Sequence, residues 1–206
     1  MTDKSHWENI YTNKSAQDVS WYREHLNISL DFIQKCRLSP DAGIIDIGGG
    51  ASTLADDLCE LGYVNVSVLD ISKRSLEKAK QRLGARADRV QWMEGDITRV
   101  QLPFEHYDLW HDRAVFHFLT DSSAQKAYVE AATRAVKSGG FIIIATFSPE
   151  GPAKCSGLPV QRYDAATLVR QFSECVLMDS QMEIHQTPSG TSQSFTYVRL
   201  KKARQG

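Results

Sequence analysis

Between Asp46 and Ser52 the chain reads Asp-Ile-Gly-Gly-Gly-Ala-Ser, and an acidic residue, Asp70, follows Gly48 by 22 positions. Successive glycines let a backbone bend sharply and come close to a ligand, and a helix begun just after them offers free N–H groups. A carboxylate about 20 residues beyond such a turn can accept both hydroxyls of a ribose. Each feature alone has a plain alternative: a tight turn for the glycines, a helix N-cap for Asp70. In register they point to an adenosine-bearing ligand. Dinucleotide sites carry a third glycine where this chain has Thr53, and they seat a pyrophosphate at the helix N-terminus. Asp46 suits a cationic amino group better than a pyrophosphate, so a ligand with an ammonium and a sulfonium in place of phosphates fits best.

Such a turn must be held at the end of a buried strand. Ile44 to Ile47 is a short apolar run that stops at the glycines, and Val64 to Leu69 is a second run ending at Asp70. Both read as strands. Between them Leu54, Leu58 and Leu61 fall on one face of a helix over Thr53 to Leu61 that Gly62 stops, and Ser72 to Leu83 repeats the pattern up to Gly84. Further strands are expected at Val90 to Met93, Tyr107 to Trp110 and Phe141 to Phe147, with a helix from Ser122 to Val136. Strand and helix in alternation imply an α/β fold with a parallel sheet covered on both faces.

The ends of the chain break that alternation. Asp3 to Arg37 reads as one or two helices with Trp7, Tyr11, Trp21 and Tyr22, and Asp164 can cap a helix through Phe172. Val176 to Thr187 and Gln193 to Lys201 then form an antiparallel hairpin joined by Pro188-Ser189-Gly190. Ser148 to Arg162 is a long loop, a length that compact domains mostly reserve for function. The expected organisation is a single domain, 1–206, with a helical cap at 1–40, a ligand-binding core at 41–147, a lid loop at 148–162 and a terminal helix and hairpin at 163–206.

The composition of the 206 residues agrees. With 42% hydrophobic and 24% charged residues the chain can bury a sizeable core, which excludes disordered and collagen-like classes. A formal net charge of −1 lacks the positive excess that long phosphate tracks require and argues against nucleic-acid partners. No run approaches the roughly 20 apolar residues of a membrane helix. The N-terminus lacks an export signal, so the expected compartment is the cytoplasm. Cys36, Cys59, Cys155 and Cys175 are scattered without ligand spacing, which predicts neither a disulfide framework nor a metal site.

Motif by motif, Asp41 to Thr146 resembles the class I S-adenosylmethionine-dependent methyltransferases. Asp46 to Ser52 resembles their first motif, Asp70 their ribose-binding acid and Glu94-Gly95-Asp96-Ile97 their adenine loop. Tyr107-Asp108-Leu109-Trp110-His111 is similar to their fourth strand and Val136 to Phe141 to the turn into their fifth. The resemblance implies a doubly wound seven-stranded sheet of order 3-2-1-4-5-7-6 with the last strand antiparallel. It implies S-adenosyl-L-methionine as cofactor, released as S-adenosyl-L-homocysteine. Gly48, Gly49 and Gly50 would lie against its methionine part, with Asp46 near the amino group and His111 on the same side. Asp70 would bind the ribose, Ile71 would pack on adenine, and Asp96 and Ile97 would bond its edge. Ser52 replaces the last glycine of the usual motif.

Aromatic faces suit a sulfonium as they suit quaternary ammonium, which places Trp7, Tyr11 and Trp21 near the methyl group. His117 is a candidate base because imidazole titrates near neutrality, against a structural histidine among Phe116, Phe118 and Leu119. Arg113 could hold an acceptor carboxylate, against simple pairing with Asp112 or Asp108. Cys155 and Arg162 are candidates for the acceptor side, against a plain surface lid. The acceptor is expected to be a small molecule, with a protein lysine as the alternative; the base-amine methylases' Asn/Asp-Pro-Pro-aromatic turn is missing from His111 to Ala114. A non-catalytic adenosine-ligand sensor and an NAD-dependent oxidoreductase are the alternatives of other classes. A monomer and a homodimer both fit.

Overall fold

The computed structural model describes residues 4–13, 15 and 18–204. Parallel strands β1 (Gly43–Ile47), β2 (Asn65–Asp70), β3 (Val90–Glu94), β4 (Tyr107–Arg113) and β5 (Val136–Phe147) form the sheet with β8 (Cys175–Gln186) and β9 (Ser192–Lys202). The order is β3-β2-β1-β4-β5-β9-β8, and β9 runs antiparallel to both neighbours. The remaining strands, β6 (Lys154–Cys155) and β7 (Leu158–Pro159), make a separate two-residue ribbon inside the loop after β5. With that ribbon set aside, the order is the expected 3-2-1-4-5-7-6.

Helices α2 (Asn27–Lys35), α3 (Leu54–Glu60) and α4 (Lys73–Leu83) cover one face, packing Phe32, Leu54 and Leu76 on Ile44, Val68 and Leu109. Helices α5 (Ser122–Ala135) and α6 (Ala165–Val169) cover the other, with Tyr128 and Leu168 against Trp110, Ile142 and Val198. Each such aliphatic side chain contributes about 1.5–3 kcal/mol relative to exposure. The caps are the ones their residue types favour: Ser72 accepts from Ser75 N–H, Asp121 from Ser123 and Ala124, and Asp164 from Thr167.

Helix α1 (Lys4–Asn13) lies apart, and its Trp7 and Tyr11 pack with Val19 and Ala51 in a small third cluster. Trp21 and Tyr22 fall outside both N-terminal helices, in the segment before α2. β5 starts five residues earlier than its apolar run, because Val136 pairs with Tyr107 before a register shift between Tyr107 and Leu109. The polar Lys137-Ser138 and paired glycines in that stretch hid the strand from its hydrophobic pattern. α6 stops at Val169, short of the expected Phe172.

Candidate functional site

The glycine turn is shaped by what surrounds it. Gly48 has φ +67°, and a Cβ there would meet Val115 Cγ2 at 2.1 Å. At Gly49 a Cβ would fall 2.1 Å from Asp46 Oδ2, and at Gly50 1.9 Å from Ser75 Oγ. Side chains are excluded at all three positions by neighbours that face the turn. Asp70 then ties the turn to the next one, accepting from Gly50 N–H at 3.0 Å and Ser72 N–H at 2.8 Å. Burial pushes its carboxyl up to about 6, although both backbone bonds favour the ionised form. A carboxylate has about four acceptor positions, and with the Ser75 hydroxyl also beside it, acceptor capacity is still left for a ligand.

Beside Asp70 opens a cleft that is partly open to solvent. Its floor carries Leu69, Asp70, Ile71, Asp96 and Ile97, delivered by the ends of β2 and β3. Asp96 is held in place by accepting from Thr98 N–H at 2.9 Å and Thr98 Oγ1 at 2.7 Å. The roof is Trp7, Tyr11 and Trp21 with Phe118. These rings meet edge to face, Trp7 on Phe118 at 5.0 Å and on Trp21 at 5.8 Å between centroids. Burial first, and Asp70 second, raise the Tyr11 phenol far above its ordinary value, so it stays neutral.

An adjoining cleft lies over the glycines and is lined by Asp46, Gly49, Ser52, Thr53 and His111. Asp46 is buried, its Oδ1 2.6 Å from His111 Nδ1, and its Oδ2 meets no partner among the described residues. A buried carboxylate oxygen without a donor is costly unless something supplies one. These residues fit S-adenosylmethionine. The glycines admit a ligand's backbone-like end, Asp46 Oδ2 suits its ammonium, Asp70 its ribose, and the aromatic roof its sulfonium.

Arg113 sits between the two clefts, its guanidinium 4.5 Å above the Phe195 ring. Nε donates to Tyr197 Oη at 2.8 Å, Nη1 to the Trp21 carbonyl at 3.0 Å, and Nη2 lies 3.6 Å from Glu183. It therefore pairs with Glu183 rather than with Asp112 or Asp108, and fastens the roof to the sheet. Cys155, on β6, reaches the cleft wall with its thiol pushed up to about 12 by burial, so it stays protonated.

Two expected acceptor residues are not brought to either cleft. His117 is fully buried in the turn after β4, where its Nδ1 accepts from Phe147 N–H at 3.3 Å and its ring lies 4.7 Å from that of Phe147. Burial, with Arg113 nearby, pushes it down to about 3, which leaves it neutral and without access to an acceptor. The structural alternative describes its setting, and the turn's direction, not its residue types, decides this. Arg162 donates to the carbonyls of Pro149 at 2.8 Å and Gly151 at 3.2 Å, closing the base of the loop after β5, and it lines neither cleft. Conversely, Ser29 of α2, whose Oγ is 2.8 Å from His111 Nε2, had no signal in the sequence. Among the described residues no group of His, Cys, Asp and Glu could hold a metal ion.

Residues 44–140 match the family described as a methyltransferase domain. The mouse (Mus musculus) eEF1A lysine and N-terminal methyltransferase is 25% identical over 117 residues, 56% of this chain and 16% of that one. The ubiquinone/menaquinone biosynthesis C-methyltransferase UbiE of Coxiella burnetii is 29% identical over 121 residues, 56% of this chain and 47% of that one. The chain thus spans less than half the length of these relatives. Among solved structures, the Burkholderia thailandensis 1,6-didemethyltoxoflavin-N1-methyltransferase, with 1,6-didemethyltoxoflavin and S-adenosylhomocysteine bound, matches with a TM-score of 0.74. It is 16% identical, covering 97% of this chain and 87% of that one. A structure from work on conversion of a disulfide bond into a thioacetal group during echinomycin biosynthesis matches at 0.79, also 16% identical, over 98% and 93%. These likenesses concern the fold.

Proposed function

We propose that the chain, which has the fold of solved S-adenosylmethionine-dependent methyltransferases and matches a methyltransferase domain over residues 44–140, is an enzyme that transfers a methyl group from S-adenosylmethionine to a small-molecule acceptor. The observation that carries the choice of acceptor is the roof. Trp7, Tyr11 and Trp21 close over the cleft and are fastened at several points. Arg113 donates to the Trp21 carbonyl, Glu8 accepts from Lys73 N–H at 2.7 Å, Thr53 Oγ1 donates to the Arg23 carbonyl at 3.1 Å, and Lys4 pairs with Glu94. A chamber roofed this way suits a compact acceptor better than a folded protein surface.

In this reading Asp70 binds the ribose, Ile71 packs on the adenine, Asp96 accepts from its amino group and the Ile97 backbone N–H donates to the ring. Asp46 and the Gly48–Gly50 backbone hold the amino-acid end. When bound, the cofactor supplies an electrophilic methyl group on a sulfonium, which the aromatic roof stabilises through cation–π attraction. The roof also excludes water from the space beside Arg113 and Cys155, where the acceptor would lie. Positioning and desolvation are then the main contributions of the protein.

A lysine side chain is the second reading, supported by the eEF1A lysine methyltransferases among the relatives. Labelled-methyl transfer into cell extract, separated into metabolite and protein pools, decides between them. Label in metabolites alone supports the proposal, and label in a protein band overturns it. No label in either pool, with S-adenosylhomocysteine still bound, overturns it in favour of a sensor.

A further inference from the structure

Three fully buried polar residues form a chain that links the N-terminal cap to the glycine turn. Ser29 lies on α2, Asp46 on β1 and His111 on β4, all at 2% exposure or less. Ser29 Oγ is 2.8 Å from His111 Nε2, and His111 Nδ1 is 2.6 Å from Asp46 Oδ1. Asp46 and His111 are register partners on adjacent strands, so their side chains project from the same face, toward α2. Since both ring nitrogens are engaged, the imidazole cannot rotate without breaking one bond. Its orientation in turn fixes the carboxylate, with Oδ1 on the ring and Oδ2 unpartnered over Gly49.

We propose that Ser29 is a positioning residue for the cofactor's amino-acid end. Acting through His111, it holds Asp46 Oδ2 free and aimed at the ammonium. The inference rests on the cofactor placement above, and deepens it in one respect. His111 serves as the clamp on Asp46, and Ser29 makes that clamp depend on the docking of α2. Gly49 belongs to the same device, because any side chain there would meet Asp46 Oδ2 and displace it. Removing the Ser29 hydroxyl frees the ring to turn, and the carboxylate then has two orientations of which one faces the ligand. An orientation adopted only part of the time lowers affinity in proportion.

Two ligands separate this role from a general packing role. S-adenosylhomocysteine carries the ammonium, whereas 5′-methylthioadenosine has the same adenosine and sulfur without the amino-acid end. Calorimetric titration of Ser29→Ala should show affinity for S-adenosylhomocysteine reduced about tenfold, with that for 5′-methylthioadenosine within twofold of the parent. Asn at position 111 can keep a donor near Oδ1 while losing the reach to Ser29. In the His111→Asn background, Ser29→Ala should therefore produce no further loss. Ser29→Cys, close in size and a weaker partner, serves if the alanine variant melts early, and should give an intermediate loss for S-adenosylhomocysteine alone. Equal losses for both ligands, or none for either, would overturn the inference while leaving the cofactor reading intact. If the parent protein binds neither ligand, the cofactor reading falls, and the inference with it.

Discussion

Two buried aspartates, Asp112 and Asp46, sit on neighbouring strands and differ in one respect. Asp112 Oδ1 accepts from Val115 N–H at 2.8 Å, and Oδ2 accepts from Phe116 N–H at 2.9 Å and from Tyr128 Oη at 2.5 Å. Tyr128 Oη in turn accepts from Trp110 Nε1 at 2.9 Å. Asp46 has one oxygen engaged and one without a donor among the described residues. The first arrangement is closed and shapes a turn; the second is open toward a cleft. Burial is the same, so burial does not separate structural acids from ligand-binding ones. Unused acceptor capacity does so in this pair; Asp57 Oδ2 is also without a donor among the described residues, but Asp57 lines neither cleft, whereas Asp46 lines the one over the glycines.

The largest expected effect comes from opening the closed arrangement. Asp112→Ala strands the Val115 and Phe116 N–H groups and the Tyr128 hydroxyl, at roughly 1–3 kcal/mol for each unsatisfied group. Urea unfolding should show a loss of about 4 kcal/mol, with 5′-methylthioadenosine affinity little changed wherever the variant is folded. A loss below about 1 kcal/mol would mean that Asp112 is no more structural than Asp46. Asp70→Ala tests the intermediate case, an acid with both oxygens on backbone N–H groups that still faces the cleft. Its expected signature is the reverse: cofactor affinity falls more than tenfold, about 1.4 kcal/mol or more, with a smaller loss of stability. Unchanged affinity in titration would remove the ribose role.

The comparison also marks what was legible beforehand. The glycine turn and Asp70 were readable because their signal is local: residue type, spacing and the ends of two apolar runs. The sheet order followed from the motifs of a known family, and Leu54, Leu58 and Val68 from simple periodicity. Ser29, His111 and Asp46 could not be joined on paper, since Ser29 and His111 are 82 residues apart and their contact depends on how α2 crosses the sheet. On β4 strand alternation sends Asp112 to the α5 face and His111 to the α2 face, so one tripeptide, His111-Asp112-Arg113, feeds three environments. His117 and Arg162 were misplaced for a related reason. Their types suggested chemistry, but side-chain direction in an irregular turn or loop has no period from which to read it.

A smaller effect concerns pH. Burial holds Asp70 near 6, while ribose hydroxyls would donate to its ionised form. Affinity for S-adenosylhomocysteine should therefore rise several-fold from pH 5 to pH 7 as Asp70 loses its proton. Asp70→Asn should flatten that profile in calorimetric titration; an equally steep profile in the variant would assign the dependence to another group. Stability of the free protein runs the other way for this residue. Its folded pKa lies above the unfolded value, so its contribution is full below about pH 4 and is lost as pH rises through about 6. Asp112, raised to about 6 by the same cause, adds to that loss.

The smallest effect at neutral pH is expected at His117, and it separates residue type from placement most cleanly. The ring, with its pKa lowered to about 3, is a poor base and is walled off by Phe118 and Phe147, so it cannot take a proton from an acceptor. His117→Gln keeps an acceptor for Phe147 N–H, and turnover at pH 7.5 should stay within about twofold of the parent. A depressed folded pKa stabilises the protein above the unfolded value near 6.5, and that stability is lost as pH falls toward 3. The variant lacks this titration, so its stability should decline less steeply than the parent's between pH 6.5 and 4. A large fall in turnover, with cofactor affinity and acid stability unchanged, would instead put His117 back beside the acceptor and show that the turn after β4 moves when ligands bind.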